Sequence, residues 1–158
     1  AETALINPYC FGEPIAPHIA AADESVSVDL PPIRDALAAL QATSEVVLVE
    51  GVGGLLVPLG EDFDAADLAV ALALPVILVV GMRLGCLNHA LLTLEALQSR
   101  GLTLAGWIGN RVDPQMRRFA ENLATLERRL PAPLLGVLPH GMGSAEAARH
   151  LSLPGARP

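Results

Sequence analysis

The chain has 158 residues, of which 52% are hydrophobic and 17% charged, a balance that excludes an intrinsically disordered protein and allows one domain with a real core. Aromatic residues make up only 3%, so we expect an aliphatic core. The net charge of −7 argues against a nucleic acid or an anionic membrane as partner, because either would need a basic patch. All ten basic residues are arginines, and the chain contains no lysine.

The sequence shows no pattern typical of a membrane or secreted protein. Its longest apolar run, residues 68–81, is interrupted by Pro75 and is too short to span a bilayer. There is no signal-peptide pattern, and Cys10 and Cys86 match no metal-binding or redox spacing. We therefore expect a cytoplasmic protein. Because the chain begins with Ala1 rather than Met, a fragment or a processed product is expected.

Hydrophobic periodicity predicts alternating helices and strands after a start rich in Pro and Gly, in which residues 7–17 are interpreted as an ordered loop. Apolar strands that alternate with helices indicate a single α/β domain, residues 1–158, with a parallel sheet covered on both faces. Strands are predicted at 45–49 and 75–80, both buried, and at 102–109 and 133–138. Helices are predicted from Ile33, at 64–72, at 87–98, at 114–129 and at 144–149. Pro31-Pro32 opens the first of these helices, Gly101 stops the third, and Ser144 is the N-cap of the last.

In such folds ligands bind beyond the carboxyl ends of the strands, so the turns that follow the strands are the candidate sites. The first turn carries Glu50 and the glycine-rich stretch 51–54. A carboxylate at the end of a buried strand is costly unless a cation meets it, and in nucleotide-binding proteins that cation is usually Mg²⁺. The glycines would let backbone N–H groups approach a phosphate. The alternative is a tight turn with Glu50 as a solvated cap.

The second turn, residues 80–89, leads into a helix whose N-terminus favours an anion such as a carboxylate, with Arg83 adding charge. The alternative is an ordinary connection in which Cys86 is a small buried apolar residue. His89 is interpreted as a structural helix residue.

The third turn carries Asn110, whose amide both donates and accepts and therefore suits an adenine edge, or else bonds its own turn. In the fourth turn, Pro139 would fix the chain beside a base. Glu146 would either accept from a ribose hydroxyl or serve as an ordinary acid in the first turn of a helix.

Taken together and in this order, the segments from about Asn7 to Glu146 resemble the dethiobiotin synthetase family. The matching segments are Asn7-Pro8-Tyr9 with Glu13-Pro14 and Pro17-His18, Val49–Gly54 followed by Pro58-Leu59, Leu74–Thr93, Gly101–Asn110, and Pro131–Pro139. The resemblance implies a three-layer α/β fold of the P-loop NTPase type with a mainly parallel sheet. It also implies a homodimeric ATP- and Mg²⁺-dependent ligase that makes dethiobiotin from 7,8-diaminononanoate, CO₂ or bicarbonate, and ATP.

The resemblance further implies roles for individual residues, all of them in binding and none as a catalytic acid, base or nucleophile. The implied contacts are Glu50 with Mg²⁺; Glu50, Gly51, Val52 and Gly53 with the ATP phosphates; Asn110, Arg111, Pro139, His140 and Gly141 with adenine; Glu146 with the ribose; and Arg83, Leu84, Gly85, Cys86 and Asn88 with the substrate carboxylate across a dimer interface.

The sequence departs from the family in lacking its Gly-rich loop ending in Gly-Lys-Thr, and in lacking an early lysine, serine and aspartate. We expect the missing part to be two β/α units, on the order of 60 residues or more, and the chain by itself to be inactive. Asn122 stands where some members carry a tyrosine near the substrate carboxylate. Two alternatives stay open: another P-loop ATPase of the amidotransferase-like or partitioning type, and a non-catalytic binding or dimerisation module.

Overall fold

A computed structural model of the chain describes residues 3–152, which divide into two compact units with the boundary between Ala73 and Leu74. That residues 1–158 form one domain stays a prediction. The described elements are the α-helices α1 (Thr3–Ile6), α2 (Pro17–Asp23), α3 (Leu30–Gln41), α4 (Ala65–Leu72), α5 (Cys86–Ser99), α6 (Phe119–Arg129) and α7 (Ser144–Ala147), the strands β1 (Val76–Gly81), β2 (Leu104–Asn110) and β3 (Leu134–Leu138), and a 3₁₀-helix, Ala148–His150. Within residues 3–152, no helix combines the length and the apolar character that crossing a membrane requires.

The helices of the first unit begin where the sequence provides start signals. Two prolines occupy the first turn of α3, where an N–H group would have no helical acceptor. Before α4, Asp64 and Asp67 form a capping box in which each carboxylate accepts from the other residue's N–H, at 2.9 and 3.0 Å. Both predicted helices are confirmed.

The loop that precedes α2 is ordered by side-chain hydrogen bonds, as predicted. The Tyr9 hydroxyl accepts from the Asp29 N–H at 3.0 Å, and a Glu24 carboxylate oxygen accepts from the Gly12 N–H at 2.7 Å. The short helices α1 and α2 lie in the segment that the sequence left without predicted helices.

The predicted buried strand at 45–49 is wrong. These residues form neither helix nor strand, and Val46 and Leu48 are 62% and 76% exposed. Within the described part of the chain, no backbone hydrogen bond joins residues 45–50 to another segment. Apolar β-branched residues favour a strand, but a strand also needs a neighbour for its N–H and C=O groups, which the sequence pattern cannot supply.

The second unit contains a parallel sheet in the order β1-β2-β3, which confirms the predicted α/β class with its alternating strands and helices. Its core is not purely aliphatic, because Trp107 and Met82 are completely buried in it. Trp107 is the only tryptophan, and a single large side chain is enough to occupy the centre of so small a core.

Two predicted boundaries near the later helices are also wrong. The helix predicted from Pro114 begins only at Phe119, because Asp113 holds residues 113–116 in a turn and Arg118 adopts the left-handed conformation at φ 57°. The N-cap of α7 is Gly143 and not Ser144, whose side chain makes no capping bond.

The last described residues lie along β3. Leu151 forms an antiparallel bridge with Gly136, and the Ser152 N–H donates to the Leu135 carbonyl at 2.8 Å. Gly136 has a φ of 153°, and a Cβ atom at this position would overlap the backbone carbonyl of His150.

Replacing Gly136 with alanine is therefore expected to destabilise the chain by about 1–3 kcal/mol, the usual cost of overpacking. The measurement is urea unfolding followed by Trp107 fluorescence. Gly81→Ala in the same sheet is the control, because its added Cβ would meet a Val112 methyl at an ordinary 3.5 Å. Equal unfolding midpoints for the two variants would contradict the predicted overlap.

Candidate functional site

The carboxyl ends of the three strands form one row in the second unit. Gly81 at the end of β1 pairs with Asn110 at the end of β2, and Asn110 pairs with Leu138 at the end of β3. The second, third and fourth turns of the sequence prediction therefore leave the sheet side by side, where ligands bind in parallel α/β folds.

Two hydrogen bonds join the third turn to the fourth. The Arg111 N–H donates to the Leu138 carbonyl at 2.9 Å, and His140 Nδ1 lies 3.2 Å from the Arg111 carbonyl oxygen. The second bond requires the His140 tautomer with its proton on Nδ1. Asn110 and Arg111 are thereby held against residues 139–141, so two segments predicted to contact the same ligand lie together.

The Asn110 side chain is available to a ligand. Its backbone carbonyl accepts from Met82 and Val112, at 2.7 and 2.9 Å, whereas its carboxamide makes no hydrogen bond within residues 3–152. The alternative, that the Asn110 side chain forms a hydrogen bond within its own turn, is therefore not supported. The free carboxamide offers one donor group and one acceptor at the edge of the sheet.

Arg111 is bound more tightly to the protein than the sequence indicated. Its guanidinium carbon lies 4.9 Å from the centre of the Phe119 ring, and Nη2 donates to the Pro114 carbonyl at 3.0 Å. Its Nε atom is buried and has no hydrogen-bond partner in the described structure. The sequence did not indicate Phe119 as a site residue. The helix was predicted to begin at Pro114, which places Phe119 inside the helix, whereas Phe119 is the first residue of α6.

The second turn leads from β1 into α5 through Gly85, which adopts a φ of 94°. The Cys86 N–H donates to the Arg83 carbonyl, whereas those of Leu87 and Asn88 have no backbone acceptor among the described residues. Free N–H groups and the helix dipole favour an anion at this helix start.

The side chains of this turn differ in their access to a ligand. Leu84 is 96% exposed and Arg83 is also exposed, whereas Cys86 packs in the core of the second unit. The Cys86 thiol therefore fits the alternative of a small buried apolar residue. Arg83, Leu84 and the N–H groups of the first helical turn are the parts of this segment that a ligand can reach.

Glu146 lies in the exposed four-residue helix α7, after the fourth turn. Its carboxylate makes no hydrogen bond or ion pair within residues 3–152, and no bond links it to Asn110 or His140. The position alone does not choose between a ribose contact and an ordinary first-turn acid.

The first turn belongs to the first unit. Glu50 is exposed and not at the end of a buried strand, so the argument from an unfavourably buried carboxylate is wrong. Gly53 adopts a φ of 75°, and the N–H groups of 51–53 have no backbone acceptor in the described chain. Within residues 3–152 no group of three or more His, Cys, Asp or Glu side chains is arranged to hold a metal ion.

Comparisons with known proteins match the chain to one family profile and to relatives that are named as ATP-dependent enzymes. The family profile described as AAA domain matches residues 1–147. The ATP-dependent dethiobiotin synthetase of Aromatoleum aromaticum is 62% identical over 152 residues, which cover 95% of this chain and 68% of that protein. Those of Ralstonia nicotianae and Nitrosospira multiformis are 56% and 53% identical, over 86% and 85% of this chain. The chain spans 59% and 60% of the length of these two relatives.

Proposed function

The chain belongs to the dethiobiotin synthetase family, and on that premise we propose that it carries the greater part of an ATP-dependent dethiobiotin synthetase of the cytoplasm. The observation that supports this proposal most strongly is the 62% identity with one such enzyme over 95% of the chain. The free Asn110 carboxamide beside the joined third and fourth turns supports it independently, as a place for a nucleotide base.

The reaction we propose is that of the family. One amine of 7,8-diaminononanoate combines with CO₂ to form a carbamate, and the carbamate oxygen takes the γ-phosphoryl group of ATP. The second amine then attacks the carbonyl carbon, phosphate leaves, and the ureido ring closes. Phosphoryl transfer of this kind asks the protein mainly to position the reactants and to neutralise charge.

The base-binding part of the site is proposed to lie at the ends of β2 and β3. The Asn110 carboxamide donates to and accepts from the adenine edge, and Pro139, His140 and Gly141 lie against the base. Glu146 accepts from a ribose hydroxyl. The hydrogen bonds between the two turns hold Asn110 and residues 139–141 together before a nucleotide arrives.

The phosphate-binding part is proposed to involve Glu50 and the N–H groups of Gly51, Val52 and Gly53. Mg²⁺ prefers oxygen ligands and often takes one or two carboxylates with phosphates and waters, so an exposed single carboxylate fits it. The bound ion would supply charge neutralisation at the transferring phosphoryl group. The unpaired N–H groups would donate to phosphate oxygens.

The substrate-binding part is proposed to be the start of α5. The substrate carboxylate lies at the far end of an aliphatic chain from the reacting amines, so carboxylate and phosphates need separate anion sites. The free N–H groups of Leu87 and Asn88, with Arg83, supply the first of these. A homodimer would place this turn against the substrate of the partner subunit, which gives the exposed Leu84 an apolar neighbour.

The experiment that tests this function is dethiobiotin formation by a completed chimera, which joins the chain to the segment of the Aromatoleum aromaticum relative that the chain does not cover. Absence of product from a folded chimera would refute the proposal, provided that the relative itself is active under the same conditions.

The substrate assignment predicts a selective effect of Gly85→Val in the completed chimera. The bulky side chain at φ 94° would distort the carboxylate site. The KM for diaminononanoate should rise about tenfold or more, because the contact that is lost is a hydrogen bond to the charged substrate carboxylate. The KM for ATP should change little. The measurement is steady-state kinetics with each substrate varied in turn.

Gly101→Val is the matched control, because Gly101 also has a positive φ of 68° and open space around it, but follows the opposite end of α5. It should carry a similar backbone strain without the rise in the KM for diaminononanoate. If Gly85→Val raises both KM values equally, or raises only the KM for ATP, the substrate assignment is wrong and this turn is a structural connection.

A further inference from the structure

The guanidinium group of Arg111 is held by contacts with the protein itself. One face stacks on the Phe119 ring at 4.9 Å, Nη2 donates to the Pro114 carbonyl at 3.0 Å, and Nε is buried where a ligand cannot reach it. Its Nη1 atom makes no hydrogen bond within residues 3–152, but a side chain held in this way is not free to turn toward a nucleotide base. Its contacts instead anchor the loop between β2 and α6.

The position of the Phe119 ring, on which Arg111 stacks, is fixed by packing. It is the first residue of α6 and packs against the core cluster of the second unit, which includes Trp107 and Leu126. An arginine over an aromatic face is attracted by the ring electrons, and the attraction grows as the pair is desolvated. The position of the guanidinium is therefore determined by the core of the unit.

The backbone of Arg111 transmits this position to the candidate nucleotide site. Its N–H donates to Leu138, its carbonyl bonds to His140, and Asn110 precedes it directly. Loss of the Arg111 side-chain contacts can therefore loosen the backbone that joins the third turn to the fourth.

We propose that Arg111 and Phe119 form a positioning pair that fixes the adenine-binding turns, and that Arg111 does not contact the base directly. This inference rests on the proposed function, because it assigns a role to these residues at the same nucleotide site. Phe119 becomes a positioning residue for ATP binding although it lies outside the turns predicted to contact the nucleotide.

The test uses the completed chimera with Phe119→Leu, Arg111→Met and the double variant. Each single change should raise the KM for ATP about 3- to 10-fold, the range of a partly desolvated cation–π contact, while kcat and the KM for diaminononanoate stay nearly constant. The double variant should raise the KM for ATP no more than Arg111→Met alone, because that change already removes the contact with Phe119. Phe119→Tyr keeps the ring and should restore the KM for ATP.

Trp107 fluorescence in urea checks that each variant is folded, and Phe119→Met replaces Phe119→Leu if the latter is not. A rise in the KM for ATP with Arg111→Met but not with the Phe119 variants would overturn the proposal and make Arg111 a direct ligand. Additive effects would also overturn it. A change in kcat and both KM values together would reduce the pair to a general structural role.

Asn110→Ala separates this inference from the proposed function on which it rests. If Asn110→Ala raises the KM for ATP and the Arg111 and Phe119 variants do not, only the positioning pair is wrong. If Asn110→Ala also leaves the KM for ATP unchanged, the nucleotide site itself has been assigned to the wrong turns, and the positioning pair is wrong with it.

Discussion

The 158 residues by themselves are expected to form no dethiobiotin from 7,8-diaminononanoate, bicarbonate and ATP. These residues include no lysine, so none can act as the compact point charge that phosphate-binding loops place on the β- and γ-phosphates of ATP. An arginine is a poor substitute, because its planar group has a different geometry and hydration. The exposed, irregular stretch 50–53 offers only backbone N–H groups and one carboxylate.

The measurement is the amount of dethiobiotin formed, determined by mass spectrometry, with the purified 158-residue chain and the completed chimera assayed side by side. Trp107 fluorescence in urea establishes that the chain is folded under the assay conditions. Product formation by the chain alone, above the rate without protein, would show that its own residues are sufficient for phosphoryl transfer.

Glu50→Gln in the completed chimera is expected to lower kcat about 10²-fold or more, the usual effect of losing one electrostatic contact in the transition state. Glutamine keeps the size of the side chain but loses the negative charge that favours a hard cation. Because Glu50 is exposed and makes no hydrogen bond or ion pair within residues 3–152, the fold should be unaffected.

The kinetics should be measured over a range of Mg²⁺ concentrations, since a weakened metal site shifts the required concentration upward. Glu45→Gln is the matched control, because Glu45 is an exposed acid in the same irregular stretch. The two changes remove the same charge from the chain, so only a specific metal contact distinguishes them. A folded Glu50→Gln variant with near-normal turnover at limiting Mg²⁺ would exclude Glu50 as a ligand.

The sequence predicted the second unit well because its strands are continuous apolar runs between clear helix signals. Strands β1, β2 and β3 lie where the runs at 75–80, 102–109 and 133–138 placed them, apart from small shifts at their ends. Once the strands are parallel, their carboxyl ends must share one edge, so the closeness of the later turns could also be foreseen.

Other features depend on information that a local pattern does not contain. The run at 45–49 has the composition of a strand, but pairing depends on a neighbour elsewhere in a chain. The late start of α6 follows from the conformations of Asp113 and Arg118, which override the helix signal of Pro114. The contact of Arg111 with Phe119 is a consequence of that late start.

The assigned contacts of the site differ in how much the fold supports them. Asn110 and residues 139–141 were predicted from separate motifs, and two hydrogen bonds hold their turns together. The Cys86 side chain is turned into the core and its N–H donates to the Arg83 carbonyl, so the fold gives no support to its predicted contact with substrate. The contacts of Glu146 and Glu50 remain predictions, and the Glu50→Gln kinetics test the second of them.

The most direct test is to supply the completed chimera with ¹³C-bicarbonate, 7,8-diaminononanoate and ATP, and to follow the label and the ADP formed. We predict dethiobiotin with ¹³C in its ureido carbon and one ADP for each molecule of product. A folded chimera that binds or hydrolyses ATP but transfers no label, while the intact relative does so under the same conditions, would contradict the assignment of this chain as a working part of a dethiobiotin synthetase.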